Sequence, residues 1–375
     1  MAQTLKATLT FSDEQSMLLD TATEFFRNKS PIAHVREQLT TERGFEAAHW
    51  DEMVALGWSG LAIGEDYGGS GLGLGAAVTI AEPMGRYLSA SPFLATQLFV
   101  AGLQGGGSDE QQRRFLPAIA DGAIGTVALF EEDGDWNLAN AQCELANGCL
   151  SGVKTFVTDA GVADCLLVSA QTSSQDNGGP VLAILKKAAL PKNALVREVV
   201  IDETHRSYRI DLDGVVVDEQ NVIRGDAAQR ALSAIRNAAL LLIAAESSGG
   251  IAGVLNLVVE YLNTREAFGR KIGAYQGLKH PTVDVLIGLE RSRSHVYHAA
   301  SLIDAGQDAE VAVRMAKAES SDAFAFAGDR AIQFHGGFGF TYECDAQLYL
   351  RRALWSQYAF GDAAHHRKHL AELLL

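Results

Sequence analysis

One stretch constrains the fold more than any other: a long apolar helix and the turn after it, from about Ala228 to Arg270. Its centre reads RNAALLLIAAESSGGIAGVLNLVVEYLNTREAFGR, apolar at nearly every face, the pattern of a helix buried on several sides. Inside that run sits one carboxylate, Glu246, directly after Leu240, Leu241, Leu242, Ile243, Ala244 and Ala245. A carboxylate among such neighbours is costly unless it is paired, protonated or used in chemistry. The run then ends in the polar segment Thr264-Arg265-Glu266-Ala267-Phe268-Gly269-Arg270. What Glu246 and Arg265 face is therefore the central functional question.

A chain of 375 residues exceeds the usual size of one core, which predicts two or three packed subdomains. The formal net charge of −15 argues against nonspecific binding to nucleic acid or anionic membranes, while leaving room for a local basic pocket. The opening MAQTLKATLTFSDEQ has no apolar core of signal-peptide length, and the longest uninterrupted apolar run, Ala238 to Ala245, is too short to span a bilayer. Cys143, Cys149, Cys165 and Cys344 lack metal-binding spacing and read as free thiols. A cytoplasmic protein without a metal site is expected.

Three regions follow from periodicity. Residues 1–120 read as a helical domain, with a capping box at Ser12 and Gln15 and a helix from Trp50 closing at Gly57. The glycine-rich Tyr67-Gly68-Gly69-Ser70-Gly71-Leu72-Gly73 lacks the lysine and hydroxyl of a P-loop and reads as a structural turn. Residues 121–225 change to period two, as at Val153, Thr155 and Val157 or Tyr208, Ile210 and Leu212, predicting an antiparallel β domain. Ser173 to Gly179 reads as a surface loop. Residues 226–375 return to helix and are long enough for a C-terminal four-helix bundle, so the fold class is α+β.

Four motifs resemble those of the acyl-CoA dehydrogenase family, in family order across nearly the whole chain. They are Leu56-Gly57-Trp58 with Tyr67-Gly68-Gly69-Ser70-Gly71; Gly152-Val153-Lys154-Thr155-Phe156-Val157-Thr158; Tyr261 through Gln276; and Gln333-Phe334-His335-Gly336-Gly337-Phe338-Gly339-Phe340. The resemblance implies FAD lying between the β domain and the C-terminal helices and reaching into a neighbouring subunit. It places Thr158 at the flavin ring, Arg265, Phe268 and Gln276 at the adenine and pyrophosphate side of a partner subunit's FAD, and Gln333, Gly336 and Gly337 at the adenine ribose. An arginine suits phosphate charge and glycines admit close backbone approach, although an arginine near a helix C-terminus is also an ordinary solvated cation.

The chain departs from the family where proton abstraction occurs. The base position after the double glycine is Phe360, in Ala359-Phe360-Gly361-Asp362, and the alternative base site on the central helix is Ala239, followed by Leu240. Phe130 stands where relatives carry a flavin-contacting threonine. Glu246 lies seven residues beyond Ala239, on the same helical face and about 10 Å along the axis, and is the candidate catalytic base. The opposing reading pairs it with an arginine such as Arg236, or with serines.

Three functions are thus expected in competition. One is an FAD-dependent dehydrogenase forming a trans-2-enoyl-CoA from an acyl-CoA, with a bulky, branched or steroid-like chain, an electron-transfer flavoprotein as acceptor and a homo- or heterotetrameric assembly. The second is a non-catalytic, FAD-sharing subunit of a heteromeric dehydrogenase. The third is a flavin oxidase or monooxygenase on the same scaffold.

Overall fold

The computed structural model describes residues 13–172 and 178–375; Ser12 of the expected capping box and residues 173–177 of the expected loop lie outside them. Helices come first: α1 (Asp13–Lys29), α2 (Ile32–Leu39), α3 (Ala47–Ala55), α4 (Gly73–Arg86), α5 (Phe93–Gly106) and α6 (Asp109–Ala120). Ten strands follow: β1 (Gly125–Ala128), β2 (Glu144–Ala146), β3 (Cys149–Ser151), β4 (Val153–Thr158), β5 (Cys165–Thr172), β6 (Gly179–Lys186), β7 (Leu195–Glu198), β8 (Ser207–Asp211), β9 (Val215–Val216) and β10 (Val222–Ile223). The long helix α7 (Gly225–Thr264) leads to a small hairpin, β11 (Glu266–Ala267) and β12 (Arg270–Lys271). Then come α8 (Gln276–Asp304), α9 (Glu310–His335), α10 (Ala346–Tyr358) and α11 (Ala363–Leu374). The helical, β, helical order matches the expected fold class.

The chain packs as two compact units, each discontinuous in sequence. One comprises residues 33–72 and 90–239, the other residues 1–32, 73–89 and 240–375. The first holds the two larger β-sheets. The larger has seven strands ordered β10-β6-β5-β2-β3-β9, with β1 joined to β5; the smaller runs β4-β8-β7. Pairing is antiparallel except that β5 lies parallel to both β1 and β2. Leu166, Val168, Ala170, Val181, Ala183 and Ile210 form the centre of this core. Helix α6 opens with a complete capping box, Ser108 accepting from Gln111 N–H and Gln111 answering to Ser108 N–H.

A fully buried lysine ties the two sheets to the loop after β1. Lys154 Nζ on β4 donates to Glu131 Oε1 at 2.6 Å and to Ser169 Oγ at 2.9 Å. Glu131 also accepts the backbone N–H groups of Gln142 and Cys143. Burial pushes the Glu131 carboxyl upward, but Lys154 and those amides outweigh it and hold the group below the usual carboxylate range. Arg206, 2% exposed, fans out to the carbonyls of Gln38, Leu39, Thr41 and Glu42, satisfying the free end of α2.

The second unit is helical and depends on close approach. A Cβ on Gly85 of α4 would lie 1.8 Å from the Glu246 carbonyl oxygen, and one on Gly249 of α7 would lie 1.7 Å from the Glu82 carbonyl oxygen. Only glycine lets these helices cross there. Around the crossing, Glu82 on α4 binds Arg293 of α8 at 2.6 Å and accepts from the Tyr297 hydroxyl. The Asp304 carboxylate, at the end of α8, accepts the Gly75 N–H of α4 at 2.9 Å. Tyr349 of α10 donates to the Arg86 carbonyl at 2.8 Å. By length and composition α7 could cross a membrane, yet 94% of its most apolar window is buried in protein. The serines and glycines that interrupt its apolar run do not break the helix, so uninterrupted run length understates it.

Gly249→Ala should destabilise the protein by about 1–3 kcal/mol or more through overpacking. Gly277→Ala, whose Cβ would meet nothing within 4 Å, should be neutral or slightly stabilising by comparison. Urea unfolding midpoints of the two variants check this.

Candidate functional site

Within the helical unit, the residues matched to the FAD motifs are displayed rather than packed. Helix α7 ends at Thr264, and the polar segment beyond it folds back as the hairpin β11–β12, paired Glu266 with Lys271 and Ala267 with Arg270. Phe268 and Gly269 make its two-residue turn with φ of 52° and 76°, the left-handed values of a tight hairpin. The finger is braced. Lys271 bonds Glu266 at 2.7 Å, Arg270 lies 4.1 Å from the Tyr275 ring, and the Tyr275 hydroxyl donates to the Ala267 carbonyl. At its tip Phe268 is 97% exposed.

Arg265 is exposed at the hairpin base and, among the described residues, has no carboxylate partner. Gln276 is the exposed first residue of α8, at the positive end of the helix dipole, which suits a phosphate. Gln333, Gly336 and Gly337 are exposed where α9 ends; Gly336 has φ +61°, and a Cβ on either glycine would meet nothing within 4 Å. That open, side-chain-free backbone fits a cofactor laid along it. His335 is buried, stacked on Tyr261 at 4.0 Å and bonded through Nδ1 to the Ala331 carbonyl, which makes it a packing residue.

In the β unit, Thr158 ends β4 half-buried, its carbonyl accepting from Thr126 Oγ1 at 2.6 Å. Phe130, replacing the expected threonine, bridges to Thr155 through a 2.9 Å backbone bond. Phe156 is 55% exposed at φ +55°, a conformation that a bulky side chain adopts only under constraint. Phe268, Phe360 and Phe156 share this unusual backbone, and all three fall in motif segments. No sequence pattern announces it.

The candidate base positions differ in their contacts. Glu246 is 1% exposed and its Oε1 is bonded to Nη1 of Arg352 on α10, itself fully buried. The expectation that Glu246 is the catalytic base is not what this geometry supports: its carboxylate is committed to an ion pair inside the core. The alternative reading, an arginine partner, holds, with Arg352 in place of Arg236. Phe360 occupies the turn after α10, and Asp362 caps α11 by accepting His365 N–H at 2.8 Å.

Beneath this turn lies a buried cationic cluster. Lys317 Nζ donates to Ser321 Oγ and to the carbonyls of Gln357 and Gly361, and burial pulls its pKa down to about 7. Arg314 Nη1 meets His366 Nδ1 at 3.4 Å. Burial, with Lys317, His365 and Arg314 adding to it, pulls His366 down to about 3.

Family comparison agrees with this geometry. The model of the acyl-CoA dehydrogenase N-terminal domain matches residues 12–123, and that of the C-terminal domain matches residues 228–375. Acyl-CoA dehydrogenase FadE12 of Mycobacterium tuberculosis is 30% identical over 306 residues, covering 78% of this chain and 79% of that protein. Among solved structures, a Tcur3481–Tcur3483 steroid ACAD superposes with a TM-score of 0.85 at 27% identity, covering 98% of each chain. The ChsE4–ChsE5 complex from Mycobacterium tuberculosis does so at 0.87 and 25% identity, again covering 98% of each. A fold with these displayed groups is that of an FAD-dependent oxidoreductase. The chain belongs to the acyl-CoA dehydrogenase family.

Arg352→Met should cost about 3–5 kcal/mol by stranding the Glu246 charge, and Glu246→Leu in the same chain should recover much of it. A thermal-melting double-mutant cycle reads the coupling. His366 carries its own pH signature. Its folded-state pKa lies below the unfolded value, so its contribution is full above about pH 6.5 and is lost as pH falls toward about 3. Between about pH 7 and about pH 5 that loss is on the order of 2 kcal/mol. His366→Asn should flatten this limb in urea titrations.

Proposed function

We propose that this chain is one subunit of a heteromeric acyl-CoA dehydrogenase, lending FAD-binding groups to α,β-desaturation of an acyl-CoA while a homologous partner chain supplies the base. One observation carries the reading: the base position holds Phe360, and the nearest helical carboxylate, Glu246, is locked to Arg352. When bound, FAD supplies a flavin that takes up the hydride from the acyl β-carbon. The chain's own part is binding and orientation. Thr158 would face the flavin ring, the Gln333, Gly336 and Gly337 backbone would cradle the adenine ribose, and Arg265 would offset pyrophosphate charge while the Gln276 amide donates a hydrogen bond to it.

The finger supports assembly. A phenylalanine almost wholly exposed on a braced hairpin suits insertion into a second subunit. We therefore favour a heterotetramer, with an electron-transfer flavoprotein as acceptor and a bulky, steroid-like acyl chain as substrate. The steroid ACAD supports the substrate class by analogy, and the two-chain complex supports pairing of unlike chains. The four cysteines are free thiols, which suits a cytoplasmic setting.

A second reading, an autonomous dehydrogenase using Glu246, draws on one fact: among the described residues its Oε2 has no hydrogen-bond partner. Anaerobic titration with a panel of acyl-CoAs separates the two. The chain alone should not bleach bound flavin, whereas coexpression with a homologous chain carrying a glutamate at the position of Phe360 should yield an assembly that does. Glu246→Gln should leave that bleaching intact. Bleaching by the chain alone, abolished in Glu246→Gln, would establish the second reading instead.

A further inference from the structure

Strand β4 does not pair evenly with β8. Lys154 lies opposite Ile210 and Val157 opposite Tyr208, so two residues of β4, Thr155 and Phe156, face the single Arg209. This is a β-bulge, and Phe156 is its left-handed residue. A bulge leaves a backbone N–H outside the ladder. Here the Phe156 N–H donates to Oε2 of Glu198 at 2.9 Å, and the same oxygen accepts the Ser207 hydroxyl at 2.7 Å. Glu198 pairs with Ser207 across β7–β8, and Ser207 pairs with Thr158 across β8–β4, so the three residues form one row on one face of the sheet. The extra residue determines which face each side chain beyond it presents, because a shift of one position reverses the alternation.

We infer that Glu198, seconded by Ser207, is a positioning residue for the flavin: it holds the β4 bulge and so fixes the direction of Phe156 and the placement of Thr158. This rests on the assignment of Thr158 to the flavin ring, and it adds a residue outside every motif discussed above. Glu198 itself does no chemistry. Its carboxylate stabilises a strained backbone that would otherwise relax toward a regular strand.

The test uses whichever form holds FAD, the chain alone or its coexpressed assembly. Glu198→Ala should raise the FAD Kd by about tenfold or more and alter the visible flavin band, whereas Glu198→Gln, whose amide oxygen accepts both bonds, should stay within about twofold of wild type. A merely structural role would lower the melting temperature of Glu198→Ala while leaving the flavin spectrum unchanged, and that result overturns the inference. If Glu198→Ala does not fold, Ser207→Ala takes its place, with a several-fold weaker FAD complex expected and an unchanged one contrary. Wild-type protein that takes up no FAD in either form would overturn the flavin assignment itself, a failure distinct from equal binding by wild type and variant.

Discussion

A charge placed inside an apolar helix must be answered, and the pair between Glu246 and Arg352 is the condition on which the helical unit rests. Two fully buried ions joined across 106 residues fix α7 against α10 in one register, since any slip would leave both uncompensated. Such a pair contributes little net stability compared with apolar residues of the same size, but its loss on one side is severe. The serines and glycines after Glu246 extend the same logic. They thin the helix where α4 crosses it, so a carboxylate and a close crossing share two helical turns.

The same pair motivates the proposal that a partner chain supplies the base. A general base needs a carboxylate that can exchange a proton with substrate, within hydrogen-bond reach. Glu246 is bound to a cation and shielded from solvent, and the turn after α10 presents a phenyl ring. The groups proposed to hold the cofactor are by contrast displayed: Arg265, with no carboxylate partner among the described residues, the α8 N-terminus and the bare backbone of Gly336 and Gly337.

Much of the architecture was legible because its causes are local. Period-two alternation exposed β4 and β8, apolar content exposed α7, and the glycine motifs marked the end of α9. The features that escaped are non-local or conformational. Arg352 could not be chosen as Glu246's partner over nearer arginines, because spacing along the chain says nothing about which helices meet. The parallel pairings of β5 with β1 and β2, and the grouping of α1 and α4 with the last four helices, depend likewise on tertiary contact. The hairpin at 266–271 hid within a polar helix end, since two strands of two residues carry almost no periodicity. The capping box at Ser108 and Gln111, by contrast, is local and has a plain Ser-x-x-Gln signature. Backbone strain at Phe156 has no sequence signature at all, since phenylalanine is not a residue that favours positive φ.

The braced finger bearing Phe268 has a thermodynamic corollary. If one subunit's hairpin closes over the cofactor held by another, cofactor retention and subunit association become linked equilibria rather than separate properties. Ligand that binds only the assembled form stabilises assembly by mass action, and dissociation of subunits loosens the ligand in equal measure. Dilution would then act as a cofactor-stripping condition, and the flavin content of a preparation would record its history of concentration.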